Sequence, residues 1–136
     1  MRRLFVDTFY LVALAHHRDQ WHAEVMAFSR SLENVRLYTV DEVLVEFLTA
    51  CSGSGARIRT GAARTVRQAL DDGQWTVIPQ SRQSLLDALD FYESRRDKAY
   101  SLTDCASMLA MRREGIAEVL TNDHHFTQEG FRVLFS

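Results

Sequence analysis

Leu4-Phe5-Val6 opens the chain as an uninterrupted apolar run, the pattern of a short buried strand. Behind it Phe9, Val12, Ala13 and His16 recur at helical spacing, which predicts a helix from Thr8 to His16. Trp21, Val25, Phe28 and Leu32 repeat that spacing over a second helix, roughly 20–32, with Asp19 as its cap. Val35 to Val40 reads as a strand. Thr39-Val40-Asp41-Glu42 then has the form of a capping box opening a helix from Asp41 to Cys51. Ser52-Gly53-Ser54-Gly55 is the clearest break in the chain, and a further helix runs from Ala56 to Leu70. Trp75 to Ile78 is a strand closed by Pro79, the only proline, and Ser81 to Glu93 is an amphipathic helix. Ser101-Leu102-Thr103-Asp104 is a second capping-box pattern, opening a helix to about Glu114 that Gly115 ends. Ile116 to Leu120 and Phe131 to Phe135 are the last strands, with Thr121-Asn122-Asp123 the turn between. Strands alternating with helices predict an α/β fold with a mainly parallel sheet, in which functional sites lie beyond the carboxyl ends of the strands.

Length and composition narrow this picture. At 136 residues one domain spanning 1–136 is expected, and 46% hydrophobic with 25% charged residues excludes disordered and collagen-like chains. No signal peptide follows Met1-Arg2-Arg3, because Asp7 stops the apolar run, and no stretch approaches the ~20 apolar residues of a membrane span. The two cysteines, Cys51 and Cys105, fall in apolar helical patterns and read as buried free thiols of a cytoplasmic protein. Formal net charge is −2, which by itself argues against a nucleic-acid partner. The bases nevertheless comprise fifteen Arg and a single Lys, Lys98, and Arg makes forked contacts to phosphate.

Four acids stand apart from the solvated majority. Asp7 follows the first strand directly. Glu46 borders the apolar arc of Val43, Leu44, Phe47 and Leu48 on its helix. Asp104 starts a helix, Cys105 to Met111, that is apolar or small almost all round. Asp123 follows the strand that ends at Leu120. Each has a plain structural explanation as a cap, a helix rim or a loop residue. Together they place four carboxylates where parallel strands end, a cluster that repels itself unless a cation joins it. Mg²⁺ or Mn²⁺ suits oxygen ligands, and the matching chemistry is attack of metal-activated water on a phosphodiester. Setting these four aside moves the formal balance from −2 to +2.

At these residues the chain resembles the PIN-domain family, and within it the VapC-like ribonuclease toxins of type II toxin–antitoxin pairs. Leu4-Phe5-Val6-Asp7-Thr8 is similar to the family's opening strand and first acid. Asp41-Glu42-Val43-Leu44-Val45-Glu46-Phe47-Leu48-Thr49 is similar to the helix bearing the second, which puts that role on Glu46. Ser101-Leu102-Thr103-Asp104-Cys105-Ala106-Ser107 and Leu120-Thr121-Asn122-Asp123-His124-His125-Phe126 resemble the segments with the third and fourth. The resemblance spans essentially the whole chain. It implies a three-layer α/β/α fold and a metal-dependent endoribonuclease, commonly a homodimer, held inactive by a small antitoxin protein. Asp7, Glu46, Asp104 and Asp123 would hold metal and orient water, with Thr8, Ser101 and Thr121 as supporting hydroxyls. The position after the fourth acid is often basic in the family, and here it is His124.

Other residues offer less. Arg57, Arg59, Arg64 and Arg67 lie in an acid-free stretch and read as a solvated helix face or a rim that binds RNA phosphates. Arg95, Arg96 and Lys98 form a possible second rim. His16, His17 and His22 match no zinc-ligand spacing. A phosphatase of the haloacid-dehalogenase type would want an Asp where Phe9 stands, and a receiver-like domain would want a strand-end Lys. The non-enzymatic rival is a metal-free PIN-like scaffold binding RNA or protein.

Overall fold

The computed structural model describes residues 1–136. In chain order the elements are β1 (Arg2–Val6), α1 (Thr8–Ala15), α2 (His22–Ser31), β2 (Val35–Val40), α3 (Asp41–Cys51), α4 (Ala56–Asp71), β3 (Trp75–Ile78), α5 (Arg82–Ser94), α6 (Leu102–Glu114), β4 (Glu118–Leu120), α7 (His125–Gln128) and β5 (Arg132–Val133). The five strands form one sheet in the order β3-β2-β1-β4-β5, and every pairing is parallel. β1 is central because Leu4, Phe5 and Val6 are apolar on both faces, and none is exposed at all. From β1 the chain winds outward through β2 to β3, then returns past β1 to β4 and β5. The two winding directions put helices on both faces and give a three-layer α/β/α fold. α1, α3 and α4 pack on one another; α5 and α6 pair with each other; α3 also touches α6. No helix is long and apolar enough to cross a membrane.

Most predicted elements appear within a residue or two. The capping box Ser101–Asp104 forms in both halves, and Gly115 ends α6 in the left-handed region at φ 69°. The predicted box Thr39–Glu42 does not form. Thr39 is a fully buried residue of β2, so its hydroxyl is spent on the sheet, donating to the Val6 carbonyl at 2.8 Å. Asp19 accepts from the Trp21 amide in a turn before α2, which starts later than predicted, at His22. The short helix α7 has no counterpart in the sequence reading. Of the predicted histidine group, His22 bonds the Ala13 carbonyl, and His16 lies between Cys51 and Ser54. These are local ties to neighbouring segments.

The region around α7 is fixed by one carboxylate. Glu129 has a side chain only 6% exposed and accepts from Arg95 Nε and Nη2 at 3.0 and 3.1 Å, from Arg112 Nη2 at 2.7 Å and from the Tyr100 hydroxyl at 2.8 Å. Both guanidiniums also lie over the Phe91 ring. Arg95 is thereby paired, yet it lines one concavity of about 370 Å³ with Arg96 and Lys98, which remain exposed. The hydrogen bond from Arg95, followed by those from Tyr100 and Arg112, holds the Glu129 carboxyl down to about 2. A carboxyl depressed in the folded state adds stability above its ordinary range, and loses it as pH falls through the folded value. Glu129→Ala is therefore expected to lower unfolding free energy by roughly 1–3 kcal/mol in urea titrations at pH 7. The deficit should shrink as pH falls below the ordinary glutamate range toward 2. Equal urea midpoints at pH 7 would contradict the hub.

Candidate functional site

The strand order reverses between β1 and β4, and the crevice beyond their carboxyl ends is where an open α/β sheet binds ligands. Asp7 ends β1 and Thr121 follows β4, so the register sets them side by side. The Thr121 hydroxyl donates to Asp7 Oδ2 at 2.7 Å across 114 residues of sequence. Asp7 is 6% exposed and its side chain does not cap α1, so a plain helix cap does not account for it.

Asp104 enters from the first turn of α6. Its backbone amide bonds Ser101 Oγ, and its Oδ2 accepts from the Ser101 amide at 2.9 Å. Asp123 enters from the β4–α7 turn, where Thr121 Oγ1 accepts from its amide and its own Oδ1 accepts from the His125 amide. Asp104, Asp123 and His125 can offer one ligand atom each, all within 4.8 Å of one another. His125 Nδ1 lies 3.3 Å from Asp123 Oδ1 and 3.8 Å from Asp104 Oδ2. Glu46 is exposed on α3 and borders the group: a concavity of about 350 Å³ is lined by Glu46, Glu42, Thr49 and Thr103, the last adjacent to Asp104.

The electrostatics tie these groups together. Burial pushes the Asp7 carboxyl up to about 7; the Thr121 hydroxyl and Thr8 amide oppose the shift, and the charges of Asp104 and Glu46 add to it. Burial also raises Asp104, helped by Asp123 and countered by the Ser101 amide and His125. No Arg or Lys forms an ion pair with Asp7, Glu46, Asp104 or Asp123. The donor set is oxygen-rich, partly buried and without a counter-cation, which fits a divalent ion such as Mg²⁺ or Mn²⁺.

The remaining expected residues are distributed unevenly. Of the three hydroxyls, Thr121 and Ser101 touch the acids, while Thr8 Oγ1 is enclosed beside Asp7 without a partner. His124 is exposed, and its carbonyl accepts from Thr127 Oγ1. It is the next residue, His125, that α7 turns toward the acids. The four arginines of α4 do not form one rim. Arg57 and Arg64, seven residues apart, line a groove of about 960 Å³ with Leu11, Leu14 and Ile58. Arg59 faces a different hollow with Val45 and Thr49, residues that also line the concavity of Glu46. Arg67 is exposed and lines neither. Neither His125 nor Arg95's engagement was legible beforehand. The only signal was a second histidine two residues after an acid.

No family model matches the chain, and no curated protein matches it. Solved structures do. VapC20 of Mycobacterium tuberculosis, described as a sarcin–ricin loop cleaving toxin, superposes with a TM-score of 0.86 at 25% identity, over 98% of this chain and 99% of that one. VapBC-1 of nontypeable Haemophilus influenzae gives 0.62 at 16% identity, over 98% and 97%. FitAcB of Neisseria gonorrhoeae gives 0.62 at 13%, over 98% and 96%. The latter two share the fold.

Burial of Asp7 sets a pH dependence in the absence of metal. A carboxyl raised in the folded state binds its proton more tightly there than in the unfolded chain. Stability therefore falls as pH rises from the ordinary aspartate range through 7. Asp7→Asn removes the buried charge and leaves the Thr121 hydroxyl an amide oxygen to donate to. In chelator at pH 8 the variant is expected to melt roughly 5 °C or more above wild type, with the gap closing below about pH 4. Thermal scans across that range check it; a variant less stable than wild type at pH 8 would contradict it.

Proposed function

We propose that this chain, which belongs to the VapC-like PIN-domain family, is a divalent-metal-dependent endoribonuclease hydrolysing RNA phosphodiester bonds, and the toxin of a toxin–antitoxin pair. The observation that carries this reading is the convergence of Asp7, Asp104 and Asp123 at the switch point, with Glu46 at its border and no Arg or Lys paired with them. A self-repelling cluster of this kind is costly unless a cation occupies it. The likeness to VapC20, described as a toxin that cleaves an RNA loop, supports the choice of substrate.

In this reading Asp7, Glu46, Asp104 and Asp123 are at once the metal ligands and the catalytic residues. Bound Mg²⁺ or Mn²⁺ supplies a Lewis acid and an activated water. The side chains do the positioning. Thr121 fixes the plane of the Asp7 carboxylate through Oδ2. The Ser101 amide does the same for Asp104. Thr8, enclosed beside Asp7, supports it from the start of α1. Glu46, on the solvent side, orients the attacking water for in-line approach to phosphorus. Arg59, whose hollow shares Val45 and Thr49 with the concavity of Glu46, contacts the RNA backbone, with Arg57, Arg64, Arg67 and His124 outside it.

The partners follow from the same reading. The VapBC and FitAB neighbours support a small antitoxin protein. A homodimer fits the apolar stripe of Leu86, Leu89 and Tyr92 exposed on α5. Two free, buried thiols, Cys51 and Cys105, support a cytoplasmic location.

Purified protein with Mn²⁺ is expected to cut structured RNAs, and EDTA to stop it. Asp7→Asn and Asp104→Asn should each lower the rate at least roughly a hundredfold, since even outer partners of metal ligands are worth 10–100-fold. Arg59→Glu should raise KM more than Arg67→Glu does. Cleavage surviving both chelator and substitutions would overturn the reading. RNA bound but never cut, with no divalent ion taken up, would favour the scaffold.

A further inference from the structure

His125 belongs to none of the four acidic positions, yet it is the side chain closest to two of them. Its Nδ1 is shut off from solvent and makes no hydrogen bond. It nevertheless lies 3.3 Å from Asp123 Oδ1 and 3.8 Å from Asp104 Oδ2. A ring nitrogen this close to a carboxylate ordinarily turns its N–H onto an oxygen, because an enclosed unpaired polar atom costs free energy. Here it is aligned with neither. Asp104, Asp123 and His125 thus bring one ligand atom each within 4.8 Å of one another, close enough to share an ion.

The spacing suits one ion. Cis ligands of an octahedral ion with bonds of ~2.1 Å stand ~3.0 Å apart and trans ligands ~4.2 Å apart, and the two observed separations fall in that interval. The ring is also held. Its amide donates to Asp123 Oδ1 at 2.9 Å, and its face lies 5.3 Å from the Tyr100 ring, which the Glu129 hub anchors. Asp104 is independently fixed by the capping box of α6. The three donors thus arrive on a rigid frame, as a binding site requires.

We propose that His125 Nδ1 is a direct ligand of the divalent ion, completing an Asp104–Asp123–His125 set, and that this nitrogen makes the site select Mn²⁺ over Mg²⁺. The selectivity follows from ligand chemistry. Mg²⁺ is a hard ion served by oxygen, whereas imidazole adds affinity for transition ions in the Irving–Williams order. His124, one residue away and exposed, takes no part. The inference rests on the metal-dependent reading above but is tested without RNA.

Pulsed electron paramagnetic resonance of Mn²⁺ bound to the wild-type protein is expected to show modulation from a coordinated ¹⁴N. That signal should change to the ¹⁵N pattern in protein labelled at histidine. It should persist in His124→Asn and vanish in His125→Asn. Titration calorimetry should find Mn²⁺ affinity lowered about tenfold or more in His125→Asn, and Mg²⁺ affinity changed less than about threefold. The labelled wild-type measurement needs no variant, so a misfolded His125→Asn leaves the test intact. Mn²⁺ bound without nitrogen modulation, or modulation kept in folded His125→Asn, overturns the proposal alone. No Mn²⁺ bound at all overturns it together with the metal-dependent reading.

Discussion

The hydrogen bond from Thr121 to Asp7 spans the point at which the sheet reverses its winding. It is the contact on which the site depends. β1 is buried on both faces, so whatever residue follows Val6 is driven inward with it. A carboxylate there has lost its water and gained two acidic neighbours. What keeps it oriented is a hydroxyl supplied from the other half of the chain. The same strand pairing that makes the core therefore brings a destabilised acid to a defined place.

The C-terminal half balances this with a second carboxylate treated in the opposite way. Glu129 lies nearer the surface than Asp7, and two guanidiniums and a phenol bond it. One buried acid is fully satisfied and holds the frame. The other is left short of partners at the crevice. Rigidity and exposure to the crevice are thus separated between two carboxylates, and Tyr100 lies between them, since it bonds Glu129 on one side and its ring lies against the tilted His125 ring on the other.

Much of this was legible in the sequence. The run Leu4–Val6 marked the central strand, and the positions of Asp7 and Asp123 after strands marked the crevice. Asp104 was legible twice, as a capping acid and as a charge at the head of an apolar helix, and it fills both roles. The failures share a cause. Thr39 matched a capping box locally, but its hydroxyl was claimed by a neighbouring strand. Arg95 looked free because its partner lies thirty-four residues away. The arginines of α4 looked like one rim, although Arg57 and Arg59 fall on different faces. Between His124 and His125 no local pattern decides; the direction of a four-residue helix does. Short-range pattern gave the elements, and long-range pairing decided who spends each polar group.

The crevice is assembled from the two ends of the polypeptide. Asp7 and Glu46 lie before β3 in the chain, whereas Asp104, Asp123, His125 and the Glu129 hub all lie after it. During synthesis the early half can form β1, β2, β3 and their helices, yet it carries only two separated acids. The reactive constellation closes when β4 slides in beside β1, an event of high sequence separation and so late in folding. Until that pairing forms, the Asp7 carboxylate lacks both its orienting hydroxyl and its acidic neighbour from α6, so closing the sheet and gathering the acids are one event.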